Sequence, residues 1–183
     1  MKRKSYLTFI GIAGALVLAL GLTPAEAKKS KCKDGEVTEA AKYSITKGEH
    51  IHAAINASLT GNAGDPKKGL KWMTHRRLGN CIACHEVSKI LALAKPDNVK
   101  SLKAYGFHGK IGPTLDGVAD RYTEGELRMI VVDPKKAFPD ANTIMPAFHK
   151  NNGFTRVHKD CVGYVILSAE RVEDVVAYLK TLK

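Results

Sequence analysis

The sequence predicts an all-α domain whose helices are joined by long loops. After Ser168, apolar residues recur at three- and four-residue spacing, so they form one stripe along a helix. The stripe consists of Val172, Val175, Val176, Leu179 and Leu182. Residues 135–165 read mostly as loop, and loops of this length usually need another body to organise them.

The first half of the chain contains weaker helical signals. Between residues 38 and 60 the apolar side chains follow a patchy helical pattern that a glycine interrupts. Asp65 fits an N-cap followed by proline at the first helical position, and this helix is predicted to run to Leu78. Residues 87–94 are apolar and compatible with a helix until the next proline.

The second half begins with a turn-rich stretch, residues 96–114, that contains several prolines and glycines. Thr123 fits an N-cap with Glu126 at the capping-box position, and the helix that follows is predicted to end at Asp133, before a proline. Residues 164–167 have a composition that suits an extended segment just before the C-terminal helix.

The first residues have the three-part pattern of a secretory signal. Residues 1–4 are basic, residues 5–25 are uncharged and apolar, and Ala25 and Ala27 are the small residues that a signal peptidase reads. The apolar run is barely long enough to span a bilayer, which leaves an uncleaved anchor as the alternative. The small residues favour removal, so we predict a signal peptide over residues 1–27 and no stable membrane insertion after cleavage.

The chain is basic, with a formal net charge of +11. Export argues against a nucleic-acid partner, and the lysines are scattered instead of clustering with aromatic residues as in a nucleic-acid groove. We therefore predict no nucleic-acid binding. The charge either steers the protein toward an acidic protein partner or belongs to a merely solvated surface.

Residues 81–85 read Cys-Ile-Ala-Cys-His, the C-x-x-C-H pattern of haem attachment. On a helical turn, the Cys81 and Cys84 thiols reach the two vinyl groups at one edge of a porphyrin and add as thioethers. His85 then lies under the iron. A zinc site needs two more ligands at paired spacing, and the other two cysteines are isolated. A thioredoxin-like pair needs a βαβ context that the sequence lacks, so the motif predicts one covalent haem c.

Met145 is the best candidate for the second axial ligand of the iron. The proline that follows it has a fixed φ and no N–H, so the loop is stiff and can hold a thioether over an iron. Met73 and Met129 lie inside helix patterns and are expected to pack in the core, which is also the alternative for Met145. Ligation by His85 and Met145 leaves no open site and makes an electron carrier. The runner-up ligands are His108 and His149.

A Gly-Pro turn that ends at Pro113 has a possible role beside the haem. The outer N–H of a ligand imidazole needs an acceptor, which the Pro113 carbonyl can supply, although Gly-Pro also suits an ordinary turn. Leu115 and Val118 would then line the haem edge. Arg121 or Tyr122 could pair with a haem propionate.

The two remaining cysteines are Cys32 and Cys161. In an oxidising compartment they could bridge and tie the N-terminal segment to the loop before the last helix. A bond to a partner chain and free thiols are the alternatives.

Taken together, these residues resemble the SoxX family, the small monohaem cytochrome c subunits of SoxAX complexes. The resemblance covers about residues 58–183 and is most specific in the Met-Pro-Ala-Phe loop at 145–148 and the Asp-Val-Val-Ala-Tyr-Leu sequence at 174–179. The other similar stretches are 58–61, 64–66, 79–85, 112–122 and 131–133. Residues 28–57 and an insert at 87–105 match less well. We therefore predict an N-terminal extension over residues 28–57 and a cytochrome c domain over residues 58–183.

The resemblance implies a periplasmic protein that pairs with a SoxA-type dihaem or monohaem cytochrome subunit. Such complexes oxidatively couple thiosulfate to a cysteine of the SoxYZ carrier, and the SoxX-like haem passes the released electrons to a soluble cytochrome c. The resemblance further implies that the L-cysteine S-thiosulfotransferase site lies on the SoxA partner and that this chain has no catalytic residue. The family's His and Met ligands fall on His85 and Met145, and its proline carbonyl falls on Pro113.

Three other readings stay open at this point. A free-standing periplasmic electron carrier would use the same chemistry without a fixed partner. A haem peroxidase or another oxygen-reactive enzyme would need an open or displaceable sixth position on the iron. A thiol enzyme that uses Cys161 has only Lys159 and His158 nearby to lower the thiol pKa.

Overall fold

The structure, a computed structural model, describes residues 39–183, and the predicted signal peptide and Cys32 lie outside them. Within the described residues the chain is helix-rich with two very short strands, which confirms the predicted all-α class. None of the described helices is long and apolar enough to cross a membrane. The elements are β1 (Thr46–Lys47), β2 (Ala53–Ala54), α1 (Pro66–Thr74), α2 (Ser88–Leu91), α3 (Val99–Tyr105), α4 (Val118–Arg121), α5 (Glu124–Val132), α6 (Pro134–Ala137) and α7 (Ala169–Leu179), with 3₁₀ turns at Cys81–Ala83 and Lys159–Cys161.

The core is organised by helix α7, which packs against α1 and α5. Its predicted apolar stripe is buried, as the helical spacing requires. Helix α1 approaches α7 closely because position 69 is glycine: a Cβ there would lie 2.0 Å from the carbonyl oxygen of Asp174. The Asp174 carboxylate also accepts hydrogen bonds from the indole N–H of Trp72 (3.0 Å) and the backbone N–H of Asp65 (2.7 Å). The two helices are therefore fixed in both spacing and register.

Helices α5 and α7 are joined by a buried ion pair. The Arg128 guanidinium donates from Nε and Nη2 to the two carboxylate oxygens of Glu173, at 2.8 and 2.9 Å. Its Nη1 donates to the carbonyl oxygen of Ile55 at 2.7 Å, and the backbone N–H of Leu59 donates to Glu173 at 2.9 Å. A buried charge is tolerated when it is paired and hydrogen-bonded in this way. The pair therefore also anchors residues 55–59 to the helical core.

The helical pattern predicted over residues 38–60 is wrong. Instead, β1 pairs with β2 in an antiparallel ribbon, and Ala53, Ala54 and Ile55 are buried one after another. Three consecutive buried residues do not fit the single apolar stripe of an amphipathic helix. The backbone N–H of Ile55 donates to the Gly125 carbonyl oxygen at 2.9 Å, so contact with α5 determines this segment's conformation.

Three other local predictions need correction. Helix α1 ends at Thr74 and not at Leu78, because the chain turns there to enter the C-x-x-C-H motif. The turn-rich residues 96–114 contain α3, which begins where the side chain of Asn98 caps it. Residues 164–167 form no strand, since the described strands are confined to β1 and β2.

The capping box predicted at α5 is present and is connected to the N-terminal ribbon. Thr123 and Glu126 exchange the expected side-chain to backbone hydrogen bonds. The Glu126 carboxylate, which is fully buried, also accepts from the backbone N–H groups of His50 and Ile51. Burial alone would raise the pKa of Glu126, but these N–H groups and the His50 imidazole outweigh burial and lower the pKa to about 2.

Glu126→Gln is expected to reduce the acid sensitivity of the fold. The Glu126 pKa is lower in the folded chain than its ordinary value of 4.5, so its stabilisation is present above about pH 5 and is lost as the pH falls toward 2. The variant should lose about 2 kcal/mol at pH 7 and much less near pH 2.5. Urea unfolding at both pH values measures the difference. Glu49→Gln, at an exposed carboxylate, is the control, and an unchanged pH profile for Glu126→Gln would contradict the assignment.

Candidate functional site

The C-x-x-C-H motif forms a tight turn directly after α1. The backbone N–H groups of Cys84 and His85 both donate to the carbonyl oxygen of Cys81, at 3.1 and 2.9 Å, which closes the turn. Asn80 enters the turn with a left-handed φ of 46°. Neither Cys81 nor Cys84 forms a disulfide, so both sulfurs are available for thioether bonds. Burial raises the pKa of the Cys81 thiol to about 12, so the thiol is uncharged at neutral pH.

The imidazole of His85 is oriented by Pro113. Its Nδ1 lies 2.7 Å from the Pro113 carbonyl oxygen. A carbonyl only accepts hydrogen bonds, so Nδ1 carries the proton and Nε2 keeps its lone pair. This is the arrangement that a metal-ligating histidine needs, because the outer hydrogen bond fixes both tautomer and ring orientation.

Two glycines, Gly109 and Gly112, allow the loop that contains them to pack closely against the motif. The backbone N–H of Gly112 donates to the carbonyl oxygen of Cys84 at 2.9 Å, and a Cβ at Gly112 would lie 2.3 Å from Cε1 of His85. A Cβ at Gly109 would lie 2.0 Å from the carbonyl oxygen of Ala83. The sequence marks both residues only as turn formers. Their role as close packing partners of the motif requires the three-dimensional structure.

The turn after Pro113 is braced by Arg121. Its Nη1 and Nη2 donate to the carbonyl oxygens of Asp116 and Thr114, at 2.7 and 2.9 Å. These contacts give Arg121 a role in holding the turn that carries Pro113, and its contact with a haem propionate stays a prediction. Leu115 is half-buried against the core, and Val118 lies within it.

Met145 lies on a separate loop between α6 and α7. Its side chain is half-buried against the core, and its backbone N–H donates to Oγ1 of Thr143 at 3.2 Å. The loop is attached to the end of α5, where the Phe148 N–H donates to a carbonyl oxygen at 3.1 Å. Met73 and Met129, by contrast, are fully buried in the core, as predicted.

In both runner-up histidines, the ring-nitrogen lone pair accepts a hydrogen bond from a backbone N–H group. His149 is fully buried, and its Nδ1 donates to the Leu167 carbonyl oxygen while its Nε2 accepts from the Ala41 N–H, at 2.7 and 2.8 Å. Burial lowers the pKa of His149, which keeps it neutral. The Nδ1 of His108 accepts from the Val87 N–H at 3.0 Å, so its proton lies on Nε2. Neither imidazole presents a free lone pair to an iron.

The surroundings of the predicted ligands fit a porphyrin. Ile111 and Ile144 come shortly before Pro113 and directly before Met145, and their side chains are 68% and 77% exposed. Apolar side chains at these places suit a large apolar macrocycle. Within residues 39–183, no group of three or more His, Cys, Asp and Glu side chains could hold a bare metal ion. An oriented imidazole directly after two cysteines suits an iron whose other ligands come from a porphyrin.

Cys161 is disulfide-bonded. The bond leaves no free thiol at this position, which counts against the reading as a thiol enzyme. Cys32, which the sequence offered as a partner, lies outside the described residues.

Comparison with known proteins agrees with this site. The family model described as cytochrome c matches residues 67–183, and the chain therefore belongs to the cytochrome c family, whose members transfer electrons and carry covalent haem c. A solved structure described as the crystal structure of SoxXA from P. pantotrophus is 39% identical. That match covers 80% of this chain and 99% of the other, with a TM-score of 0.61, and supports a SoxX-type subunit. Comparison with the curated proteins gives no match.

Proposed function

We propose that this chain is the electron-transfer subunit of a periplasmic SoxAX-type complex. The complex oxidatively couples thiosulfate to a cysteine of a SoxYZ carrier, and the catalytic site belongs to the SoxA-type partner. This subunit accepts the released electrons and passes them to a soluble cytochrome c. The similarity to the SoxXA structure supports the proposed complex. Within residues 39–183, neither His108 nor His149 has a free lone pair that could replace a methionine ligand, which supports a His/Met-ligated electron carrier.

The observation that carries the proposal is the 2.7 Å hydrogen bond from His85 to Pro113, with Gly112 packed against the ring. It leaves Nε2 of His85 with a lone pair that would bind the iron, and we propose that Met145 would supply the second protein ligand. Cys81 and Cys84 would hold a single haem c covalently, and the haem would supply a one-electron couple at its iron. Two protein ligands would leave no coordination position for oxygen, which favours electron transfer over peroxidase chemistry.

Met145→Ala is expected to change the iron spectrum without removing the haem. Loss of the thioether ligand should abolish the weak far-red absorption band and lower the reduction potential, while a pyridine haemochrome assay still counts two thioethers. Met129→Leu, in the buried core, is the control and should leave the spectrum intact. A wild-type spectrum for Met145→Ala would exclude Met145 as a ligand.

The partner is tested by isolating the complex from the native host. A SoxX-type subunit should co-purify with a larger haem protein, and the joint preparation should transfer thiosulfate to the carrier cysteine. The alternative, a free-standing electron carrier, predicts a native size close to that of one mature chain without residues 1–27. A monomer in fresh extract would therefore contradict the proposed complex while leaving the cytochrome assignment intact.

A further inference from the structure

Helix α3 lies on the surface beside the haem-attachment motif and buries none of its residues. Val99 on α3 and Phe107 just after it are 62% and 66% exposed. The side chain of Asn98 caps the helix, and shortly after the helix the backbone N–H of Gly109 donates to the carbonyl oxygen of Ile82 in the motif, at 2.8 Å. Exposed apolar side chains therefore lie on a segment that is hydrogen-bonded to the attachment turn.

This surface is strongly cationic. Residues 71–111 contain eight Lys and Arg residues and two acidic residues. Lys100 and Lys103 both lie on α3, and Lys103 is exposed. Within residues 39–183, neither Lys103 nor Arg76 forms an ion pair. These charges are available to a partner, because no carboxylate of the described chain neutralises them.

A cavity of about 360 Å³ lies between the end of α1, the motif turn and α3. We call it the α3 groove, and its lining includes Thr74, Arg76, Asn80, Ala83, Lys103 and Phe107. The α3 groove therefore reaches the residues between the two attachment cysteines. Two cations and an exposed aromatic ring lie around it. An acidic side chain with an apolar neighbour is the complementary occupant.

The composition of the α3 groove favours a transient partner over a permanent subunit. Permanent interfaces are large and apolar, whereas short-lived electron-transfer contacts are small and rely on charge to steer the encounter. Here the exposed aromatic side chain of Phe107 lines the groove together with Arg76 and Lys103, which form no ion pair within residues 39–183. Cations in this position raise the association rate with an acidic protein and are screened by salt.

We propose that the α3 groove is the docking site for an acidic, soluble, electron-accepting protein that binds transiently. The inference rests on the proposed function and deepens it, because it assigns the exit route for electrons to one surface of the chain. It also requires that a permanent partner subunit bind elsewhere. One electron leaves the reduced haem protein and reduces the acceptor, with no bond made or broken.

The test measures how fast the reduced holoprotein is oxidised by two probes: the cation tris(phenanthroline)cobalt(III) and oxidised plastocyanin, an acidic redox protein. The variant Arg76→Glu/Lys103→Glu reverses the charge of the groove. The variant Lys67→Glu/Lys135→Glu makes the same change of net charge at two exposed lysines outside the groove. Phe107→Ser removes the aromatic ring and leaves the charge unchanged.

At low ionic strength the groove variant should react with plastocyanin about tenfold more slowly than wild type, and the difference should vanish in about 0.5 M salt. The cobalt complex should oxidise the groove variant faster than it oxidises wild type. The control variant should change each rate by less than about twofold, and Phe107→Ser should slow only plastocyanin. If the rate with plastocyanin fell equally in the groove and control variants, the proposal would be overturned, because the rate would then depend only on net charge.

Repeating the plastocyanin measurement on the native complex separates this inference from the proposed function. The groove variant should remain slow in the complex, because the α3 groove stays accessible there. If assembly with the partner subunit abolished the effect of Arg76→Glu/Lys103→Glu, the groove would belong to the permanent interface and the inference would be wrong. A wild-type chain that takes up no haem would instead overturn the proposed function.

Discussion

Gly112→Ala is expected to impair iron ligation more than any other single methyl addition near the motif. The new Cβ would lie 2.3 Å from Cε1 and 2.6 Å from Nδ1 of His85, far inside contact distance. Either the imidazole or the turn must move, and both movements break the hydrogen bond to Pro113. Loss of such an outer contact typically weakens metal binding by about 10- to 100-fold.

The measurement compares visible spectra and reduction potentials of Gly112→Ala and wild type after equal haem loading. The variant should show a partly high-spin iron and a shifted potential, with the thioether count unchanged. Gly61→Ala is the matched control, since a Cβ there meets nothing within 4 Å although its φ is +75°. That variant should cost about 1 kcal/mol of stability and leave the spectrum alone. A normal spectrum for Gly112→Ala would show that the ring is held by other contacts.

Glu173→Gln is expected to cause the largest loss of folding stability, about 3–5 kcal/mol. The substitution removes the charge that balances Arg128, whose exposure is 1%. The remaining carboxylate partner, Glu124, is half-exposed and lies on the solvent side. Glutamine also has an NH₂ donor in place of one of the two carboxylate oxygens that accept from Nε and Nη2 of Arg128, so one buried donor is left without its partner.

Urea unfolding of the holoprotein measures this loss. The double variant Arg128→Met/Glu173→Leu should recover most of it, because apolar replacement of a buried ion pair is often neutral. Lys180→Gln, which removes the exposed pair with Glu124, should cost less than about 1 kcal/mol. If Glu173→Gln were as mild as Lys180→Gln, the buried pair would not hold α5 to α7.

Sequence patterns predicted the elements whose signals are local. The capping box at Thr123 and the stripe of α7 depend on neighbouring residues along one helix, and both are present as predicted. The ribbon of residues 46–54 was missed because its burial depends on α5, about 70 residues further along the chain. Helix α3 was missed because the glycines and prolines that flank it dominate the local pattern.

The candidate site was predictable in its chemistry but not in its packing. The C-x-x-C-H motif predicted the attachment residues, and the Gly-Pro turn suggested the acceptor that His85 has in the structure. The sequence did not reveal that His108 and His149 already use their lone pairs on the backbone, since those contacts join distant segments. The sequence also did not show whether the Arg121 side chain is solvated or donates to the backbone of the turn, as it does in the structure.

The chain has a single tryptophan, and its indole N–H is bonded to Asp174 where α1 meets α7. Lys71 and Arg171 lie over the same ring, 4.6 and 4.5 Å from its centroid. Tryptophan fluorescence, excited selectively over that of the tyrosines, therefore comes from one residue at one helix crossing. In the chain without haem its emission colour reports whether the two helices are docked, and a bound haem would quench it.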